Sequence, residues 1–363
     1  MYSFEPTEEQ RMLIDAVQRY AINDLRNAAH DADESGELPQ TLVEKGWELG
    51  VLQASVPEAY GGFGEHSAVT GVLAAEELAY GDPAGALAVM APATYALPVL
   101  LAGSEAQKAA LLPPVIGDTW KPYTAAFIEP DFDFYAGDMR TKARKEGQGF
   151  VIDGVKAMVP FADRAQGMVT YAALDGKPQA FVLPPKAEGV TVGEREKLLG
   201  LGALPAYRVQ FESVRLGQEA WLGSSPTNDA APLIAASHVA TAALAVGLSR
   251  AAHLYALNYA KEREVFGAPI AQKQSIAFML AEMAIEIEAI RLLVWEAAWL
   301  LDTGKDAARA AYLALSGAAD MAMMVTDRAV QVLGGHGYIR EHPVERWYRT
   351  GRGIPTFPGL AMV

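Results

Sequence analysis

Residues 261–283 read KEREVFGAPIAQKQSIAFMLAEM, which combines a charged helix end, a short loop with glycine and proline, and the start of an apolar helix. Arg263 carries a guanidinium group, a rigid two-pronged donor that fits the oxygens of a phosphate. Phe266 and Gly267 place an aromatic face beside an open stretch of backbone, and Gln274 offers an amide that both donates and accepts. The stretch predicts a loop between two helices that binds a phosphate-bearing ligand.

A second stretch, AVQVLGGHGYIREHPVERWYR at residues 329–349, has a similar character. Gln331 offers another amide, and Gly334 and Gly335 lack side chains, so their N–H groups can approach a phosphate closely. The alternative for each stretch taken alone is structural: Arg263 pairs with a neighbouring glutamate on a helix surface, and the glycines end a helix. Both stretches in one chain favour the binding interpretation.

The composition is that of an acidic globular protein. The 363 residues carry a formal net charge of −14, with 51% apolar and 20% charged residues, which indicates a sizeable core. This acidity disfavours nonspecific binding to nucleic acid or to anionic membranes. There is no cysteine, which excludes disulfides, thiolate catalysis and cysteine-bound metals. The acidic start MYSFEPTEEQ is unlike a signal peptide, and no apolar run reaches the length of a membrane span, so we expect a cytoplasmic protein.

The chain divides into three regions with different sequence patterns, which together predict the α+β class. Residues 1–120 read mostly as helices, and Thr7 with Gln10 predicts a capping box ahead of the first. Residues 121–225 hold short β-rich segments separated by glycine, proline and aspartate, the pattern of an antiparallel β-domain. Residues 226–363 return to helices with wide apolar faces, which are typical of a bundle. The long helices are predicted at 229–262, 271–302 and 306–333.

The two stretches quoted above, in this order and at this spacing, resemble the acyl-CoA dehydrogenase family. The resemblance covers nearly the whole chain, because weaker motifs precede the two stretches. These motifs are EPTEEQ at 5–10, PEAYGGFG at 57–64, GSEAQK at 103–108 and the Glu129–Pro130 pair. The resemblance implies an N-terminal helical domain, a central antiparallel β-domain and a C-terminal four-helix bundle.

The resemblance also implies a cofactor, a substrate and partners. The cofactor is FAD, the substrate is an acyl-CoA thioester, and electrons pass to an electron-transfer acceptor. In the family, one set of positions holds the ADP half of the FAD that belongs to the neighbouring subunit, across a dimer interface. In this chain those positions are Arg263, Phe266, Gln274, Gln331, Gly334 and Gly335.

Three segments depart from the family pattern where the flavin ring is normally held. After the Glu-Pro pair the family has a small Gly/Ser-rich turn, whereas this chain reads EPDFDFYAGDMR, with bulky aromatic residues. An aromatic-x-hydroxyl triplet that covers the ring aligns with Met158, Val159 and Pro160, and Pro160 has neither a hydroxyl nor an N–H group. Near residue 202 an arginine-containing turn is replaced by LGLGALPAY. We expect the chain to bind little flavin of its own.

The catalytic base is the sharpest departure. Dehydrogenation removes the α-proton of the acyl group with a carboxylate, and a general base is worth roughly 10²–10⁴ in rate. The glutamate of the family falls on Pro358, and the position that some members use instead falls on Ser237. The chain ends where the family starts a last helix over the active site, which predicts a wider pocket.

Four other residues are candidates for the missing proton acceptor or lie beside the altered segments. His238 is next to Ser237 and has a suitable side chain for a base, but we interpret it as a partly buried structural residue. We interpret Asp131 and Asp133 as solvated residues of the altered turn, and His336 as a turn residue after the glycines.

The chain keeps the residues that hold a partner's FAD and loses those that hold its own flavin ring and a base. The leading prediction is the non-catalytic subunit of a heteromeric acyl-CoA dehydrogenase, an α2β2 assembly with a paralogous subunit. By analogy its substrate is a fatty acyl or steroid side-chain CoA thioester. The alternatives are a homo-oligomeric dehydrogenase with an unrecognised base, a flavin-dependent monooxygenase on the same fold, and a non-enzymatic acyl-CoA-binding scaffold.

Overall fold

The computed structural model describes residues 5–184, 186–224 and 230–363 of the chain. Its N-terminal part is helical, and a π-helical segment at residues 21–25 joins the first two helices. These helices are α1 (Glu8–Tyr20), α2 (Arg26–Ser35), α3 (Gln40–Trp47), α4 (Ala68–Gly81), α5 (Pro83–Met90), α6 (Ala93–Ala102), α7 (Glu105–Leu111) and α8 (Pro113–Ile116). The capping box predicted for α1 is confirmed: the Thr7 side chain accepts from the Gln10 N–H, and the Gln10 side chain accepts from the Thr7 N–H.

In the described residues, a seven-stranded sheet occupies the middle of the chain. Its strands are β1 (Tyr123–Ala126), β2 (Lys142–Glu146), β3 (Gly149–Pro160), β4 (Gly167–Leu174), β5 (Lys177–Leu183), β6 (Val190–Arg195) and β7 (Ala206–Gly217). The strands lie in the order β1-β4-β2-β3-β7-β6, and β5 pairs with β4. Most pairings are antiparallel as predicted, but β1 and β2 both run parallel to β4. Parallel pairing is possible because β2 and β3 lie between β1 and β4 in the chain and supply the long connection that it needs.

The C-terminal part is again helical, with a small hairpin of β8 (Glu264–Val265) and β9 (Ala268–Pro269) between its first two helices. The helices are α9 (Ala231–Glu262), α10 (Gln274–Asp302), α11 (Ala308–Leu333), α12 (Gly335–Tyr338) and α13 (Val344–Gly353). They agree closely with the predicted stretches, although residue 229 lies outside the described residues. The order of helices, sheet and helices is the predicted fold.

Helix α9 lies at the centre of the molecule, where it packs against α4, α10, α11 and α13. By length and composition it could cross a membrane, but 78% of its most apolar window is buried inside the protein. The bent pair α5 and α6, with 50° between the two axes, passes the same test together. Buried core helices satisfy such a test, because a helix that is apolar on all sides needs protein on all sides.

The sequence predicts domain boundaries near residues 120 and 225. The first falls between α8 and β1, within a connection that ends the helical region, and it stays a prediction. The second lies outside the described residues.

Candidate functional site

A cavity of about 810 Å³ opens between the sheet and the C-terminal helices, and it is called the cavity below. Its walls are the segment after β1, the first turns of α9, the start of α11 and the segment after α13. The lining is mostly apolar and aromatic, and it includes Phe127, Phe132, Phe134, Ile234, Tyr312, Leu315 and Pro358. A cavity of this size and character can enclose most of a large apolar ligand.

A buried ion pair holds the segment that forms one wall of the cavity. Lys156 of β3 is fully buried, and its Nζ donates to Glu129 Oε1 at 3.0 Å and to the Phe127 carbonyl at 2.9 Å. The Glu129 carboxylate also accepts from the backbone N–H groups of Arg140 at 2.7 Å and Thr141 at 2.8 Å. Burial alone would raise the pKa of Glu129, but Lys156 and these N–H groups outweigh it and lower that pKa below its ordinary value. Glu129 is therefore a structural anion.

The two aspartates of the same segment lie near one arginine. Asp131 Oδ1 is 2.6 Å from Arg140 Nη1, and Asp133 Oδ1 is 3.4 Å from Arg140 Nη2. Asp133 is exposed, in line with its interpretation as a solvated residue, whereas Asp131 is half-buried and reaches the cavity. Among the described residues that line the cavity, Asp131 supplies the only carboxylate, and that carboxylate is paired with a guanidinium.

Pro358 and Ser237, the two positions on which the sequence places the base of the family, lie next to each other in this structure. Pro358 forms part of the cavity wall. Ser237 of α9 is buried, and its Oγ accepts from the N–H of Gly359 at 2.6 Å, across 122 residues of sequence. This hydrogen bond fastens the segment after α13 to α9. Neither Pro358 nor Ser237 can serve as a carboxylate base.

His238, the neighbour of Ser237, lines the cavity. Its ring makes no hydrogen bond within the described part of the chain, and burial lowers the pKa of the imidazole to about 4. The imidazole is therefore neutral at pH 7 and a weak proton acceptor, because an efficient general base has a pKa near the working pH. Interpreting His238 from the sequence as a partly buried residue missed its place in the cavity wall.

The segment that aligns with the flavin-covering triplet is engaged with its own sheet. Met158 has a φ of 52°, in the left-handed region, and its N–H donates to Glu196 Oε2 at 2.6 Å. Val159 and Pro160 pair with β7. Met158, Val159 and Pro160 are all absent from the lining of the cavity. The backbone donor of Met158 is thus already used, and Pro160 has none to offer.

The six positions that the resemblance assigns to a partner's FAD, Arg263, Phe266, Gln274, Gln331, Gly334 and Gly335, are called the half-site below. Arg263 follows α9, and its N–H donates to the Tyr259 carbonyl at 2.8 Å. Its exposed guanidinium makes no ion pair or hydrogen bond with any described residue, so the pairs with Glu262 or Glu264 are not formed. Phe266 is 95% exposed.

The other positions of the half-site are open as well. Gln274, Gln331, Gly334 and Gly335 are all exposed. Gly334 has a φ of +59° and a ψ of −130°, a conformation that side chains disfavour. A Cβ atom built on Gly334 or Gly335 would meet nothing within 4 Å, so a ligand can approach their backbone from outside.

Two tyrosine–histidine pairs bring the glycine turn to the end of α9. The Tyr259 hydroxyl is 2.7 Å from His336 Nδ1, and the Tyr255 hydroxyl is 2.7 Å from His342 Nδ1. Tyr259 lies one helical turn before Arg263, and His336 directly follows the glycines. The structure therefore brings the two quoted stretches together, and His336 does more than end a turn. The four-residue spacing of the two tyrosines and Arg263, which places them on one helix face, was a sequence signal for this arrangement.

Family models of three acyl-CoA dehydrogenase domains match the chain in the expected order. The N-terminal domain matches residues 7–118, the middle domain residues 125–214 and the C-terminal domain residues 232–360. This chain belongs to the acyl-CoA dehydrogenase family. The family is one of flavoprotein oxidoreductases, and the fold predicted from the resemblance is confirmed.

Several acyl-CoA dehydrogenase relatives match nearly the full length of the chain. The mitochondrial short-chain specific acyl-CoA dehydrogenase of Rattus norvegicus is 33% identical, over 99% of this chain and 89% of the relative. The caffeyl-CoA reductase-Etf complex subunit CarC of Acetobacterium woodii is 32% identical, over 98% of this chain and 96% of the relative. The solved structure of butyryl-CoA dehydrogenase from Megasphaera elsdenii is 30% identical, with a TM-score of 0.88 over 99% of this chain and 96% of that one.

Acyl-CoA dehydrogenase family members bind FAD, and the solved structure of glutaryl-CoA dehydrogenase from Mycobacterium smegmatis, 25% identical, is a complex with FADH2. The two ends of this cofactor fit the present chain differently. The half-site fits the pyrophosphate end, because no described residue pairs with its guanidinium and its glycine backbone is open. The segment from Met158 to Pro160 does not fit the ring end, because Glu196 occupies its backbone donor.

Proposed function

We propose that this chain is the base-lacking subunit of a heteromeric, cytoplasmic acyl-CoA dehydrogenase. In an α2β2 assembly it completes the FAD site of a catalytically intact paralogous subunit, and the assembly carries out α,β-dehydrogenation of an acyl-CoA thioester. The observation that carries the proposal is a contrast within one chain. The half-site is exposed, and its guanidinium has no ion pair or hydrogen bond among the described residues. The cavity, by contrast, is lined by Pro358 and by the weakly basic imidazole of His238, and the buried Ser237 bonds to the neighbouring Gly359, so the family's base positions supply no free carboxylate.

The half-site supports the proposal because its positions are exposed and its donor groups are available to a ligand. An exposed arginine without an ion pair contributes little to the fold, and it is a strong donor for a phosphate brought by another molecule. Gly334 and Gly335 leave room for the same phosphate, since no described residue has an atom within 4 Å of a Cβ built on either glycine. The exposed ring of Phe266 adds an aromatic surface beside the guanidinium.

An exposed apolar face of helix α10 supports a second subunit on the side of the molecule that carries the half-site. Phe278, Ile285 and Leu292 are 60%, 66% and 43% exposed, and they recur every seven residues, which places them on one face of the helix. The row begins one turn after Gln274 of the half-site. Exposed apolar rows of this length mark surfaces that another protein covers. A subunit that covers this face would also reach the half-site.

The chemistry divides between the two subunits. Bound FAD supplies the acceptor for the hydride that leaves the β-carbon of the substrate. In this chain Arg263 binds the pyrophosphate of that FAD and the backbone of Gly334 and Gly335 approaches it, while the exposed face of α10 joins the subunits. The partner supplies the carboxylate that removes the α-proton, because the carboxylates of Glu129 and Asp131 are both committed to cations.

The electron acceptor in the proposal is an electron-transfer flavoprotein. It is suggested by the relative named as a subunit of a caffeyl-CoA reductase-Etf complex. A homo-oligomeric enzyme that uses His238 as its base is less well supported, since burial holds the pKa of this imidazole near 4.

The test replaces Arg263 by alanine. The tagged chain is isolated from its own organism with the subunits that accompany it, and flavin absorbance per complex is measured after dialysis. Arg263→Ala should weaken FAD binding by about ten- to hundredfold, because a charge-assisted hydrogen bond is worth roughly 1.5–3 kcal/mol. Arg263→Lys should restore only part of the loss, since a point charge cannot reproduce the fork. Arg19→Ala, which removes an exposed arginine of α1, is the matched control.

Two outcomes would contradict the proposal. Unchanged flavin content in a complex that binds FAD would show that Arg263 does not contact the cofactor. One flavin for every copy of this chain, with no second kind of subunit present, would favour the homo-oligomeric alternative.

A further inference from the structure

We infer that His336 and His342 are two additional donors for the pyrophosphate of the dinucleotide at the half-site, each oriented by a tyrosine of α9. The inference rests on the proposed function, and it adds two ligand-binding side chains that the resemblance does not assign. Its physical basis is two tyrosines on the last turns of α9, the arginine that directly follows the helix, and two imidazoles that are hydrogen-bonded to the tyrosines.

The row consists of Tyr255, Tyr259 and Arg263, spaced four residues apart and so stacked along one face of the helix end. Tyr259 bonds to His336 and Tyr255 bonds to His342, each at 2.7 Å through Nδ1. The two imidazole rings consequently lie side by side, with 5.4 Å between their centroids and 34° between their planes. Arg263 continues the same row beyond Tyr259.

The tyrosines decide which nitrogen of each imidazole carries the proton. A phenol is a better hydrogen-bond donor than a neutral imidazole, and an imidazole nitrogen is a better acceptor than a phenol oxygen. Each tyrosine hydroxyl therefore donates to Nδ1, which leaves the proton of each neutral ring on Nε2. The arrangement presents two N–H donors on the edges of the rings that face away from α9.

The outer donor of His336 lies beside the open glycine turn, and the half-buried ring of His342 lies next to that of His336. Neither Nε2 atom has a hydrogen-bond partner in the described part of the chain. His336 is exposed and directly follows Gly335, above which a Cβ would find empty space. Arg263, two imidazole donors and a bare glycine backbone together form a surface rich in donors, and it suits the dense negative charge of a pyrophosphate.

The rival interpretation is that each pair only fastens residues 334–343 to α9. That role needs an acceptor at the position of Nδ1 and makes no use of Nε2. Asparagine separates the two roles, since its side-chain oxygen can occupy the position of Nδ1 while nothing replaces the outer N–H. Glutamine does the reverse, because its amide reaches the position of Nε2.

The experiment uses the complex stripped of FAD and titrates it with ADP as the probe, by calorimetry. The double variant His336→Asn/His342→Asn should bind ADP about tenfold more weakly, with its melting temperature unchanged, because two neutral hydrogen bonds are lost. Tyr255→Phe/Tyr259→Phe should weaken binding in the same direction, since the rings lose their orientation. His30→Asn, on the exposed surface of α2, should change nothing.

Unchanged ADP affinity in the double asparagine variant, with Arg263→Ala weakened, would overturn this inference and leave the proposed function standing. Unchanged affinity in Arg263→Ala as well would overturn both. If the asparagine variant melts at a lower temperature, His336→Gln decides: retained ADP affinity supports the outer donor, and lost affinity contradicts it.

Discussion

The buried pair of Lys156 and Glu129 should be the most sensitive point in the wall of the cavity. The Lys156 side chain is fully inaccessible, and it is the cation paired with Glu129, which also accepts from the backbone N–H groups of Arg140 and Thr141. Lys156→Met removes the cation and keeps an apolar side chain of similar length. A buried carboxylate then remains without a counter-charge, which is far more costly than losing an exposed ion pair.

The magnitude follows from that geometry. Breaking a buried pair by removing one partner costs about 3–5 kcal/mol of unfolding free energy. With an unfolding entropy of about 2.1 cal/mol/K per residue over 363 residues, the melting temperature should fall by roughly 4–7 °C. Lys156→Met combined with Glu129→Gln should recover part of this loss, because a neutral amide has less need of the cation.

Calorimetry or urea denaturation measures the effect, with Lys177→Met as control, since Lys177 is exposed at the start of β5. The sign of the pH dependence is a second check. Without Lys156, burial raises the pKa of Glu129, so the folded variant takes up a proton more readily than its unfolded chain. The gap between wild type and variant should therefore narrow as the pH falls towards 4. A loss below about 0.5 kcal/mol, or a gap that does not change with pH, would refute the reasoning.

Two further predictions concern α9. Ser237→Ala should lower stability by about 1–3 kcal/mol in urea denaturation, because it leaves the buried Gly359 N–H without a partner; a neutral result would contradict that hydrogen bond. His238→Leu should leave turnover of the complex unchanged at pH 7, and lost turnover would identify His238 as a base. Because burial lowers the folded pKa to about 4, the unfolded wild type binds a proton first. The unfolding free energy of the wild type should therefore fall between about pH 6.5 and 4, and that of the leucine variant should not show this fall.

Local chemistry and periodicity predicted most of the fold. The capping box of Thr7 and Gln10 depends on residues three apart, and the long C-terminal helices depend on apolar repeats, so both can be read within a short window. The parallel pairing of β4 with β1 and β2 could not be read that way. This pairing is decided by which strands become neighbours after the chain has folded. The sequence of a short β-rich segment does not show whether it will pair parallel or antiparallel.

The candidate site also combines positions that short stretches of sequence predict with contacts that only the folded chain makes. The half-site positions came from two contiguous stretches, and the structure shows them open; their contact with FAD remains a prediction. The sequence did not indicate that Glu196 occupies the Met158 N–H, 38 residues away, or that Lys156 neutralises Glu129, 27 residues away. Each pair joins a residue of β3 to a segment that is distant in the chain, and a charged side chain looks solvent-exposed until tertiary packing buries it.

The interpretation of His336 from the sequence was incomplete for a related reason. A histidine after two glycines is common in turns, and nothing in that stretch of sequence predicts Tyr259 as its hydrogen-bond partner. Only the approach of the glycine turn to the end of α9 supplies the 2.7 Å contact. The apolar neighbours of His238 along the helix likewise predict a structural residue, but the folded chain places its side chain in the wall of the cavity.

Flavin stoichiometry is the most direct test of the central claim that this subunit completes a partner's FAD site. The chain is purified alone and with its partner subunit, and flavin absorbance is compared with protein concentration in each. We predict little or no flavin on the chain alone, and about one flavin for each pair of unlike subunits in the complex. A yellow protein with close to one flavin per copy of this chain, purified alone, would contradict the claim.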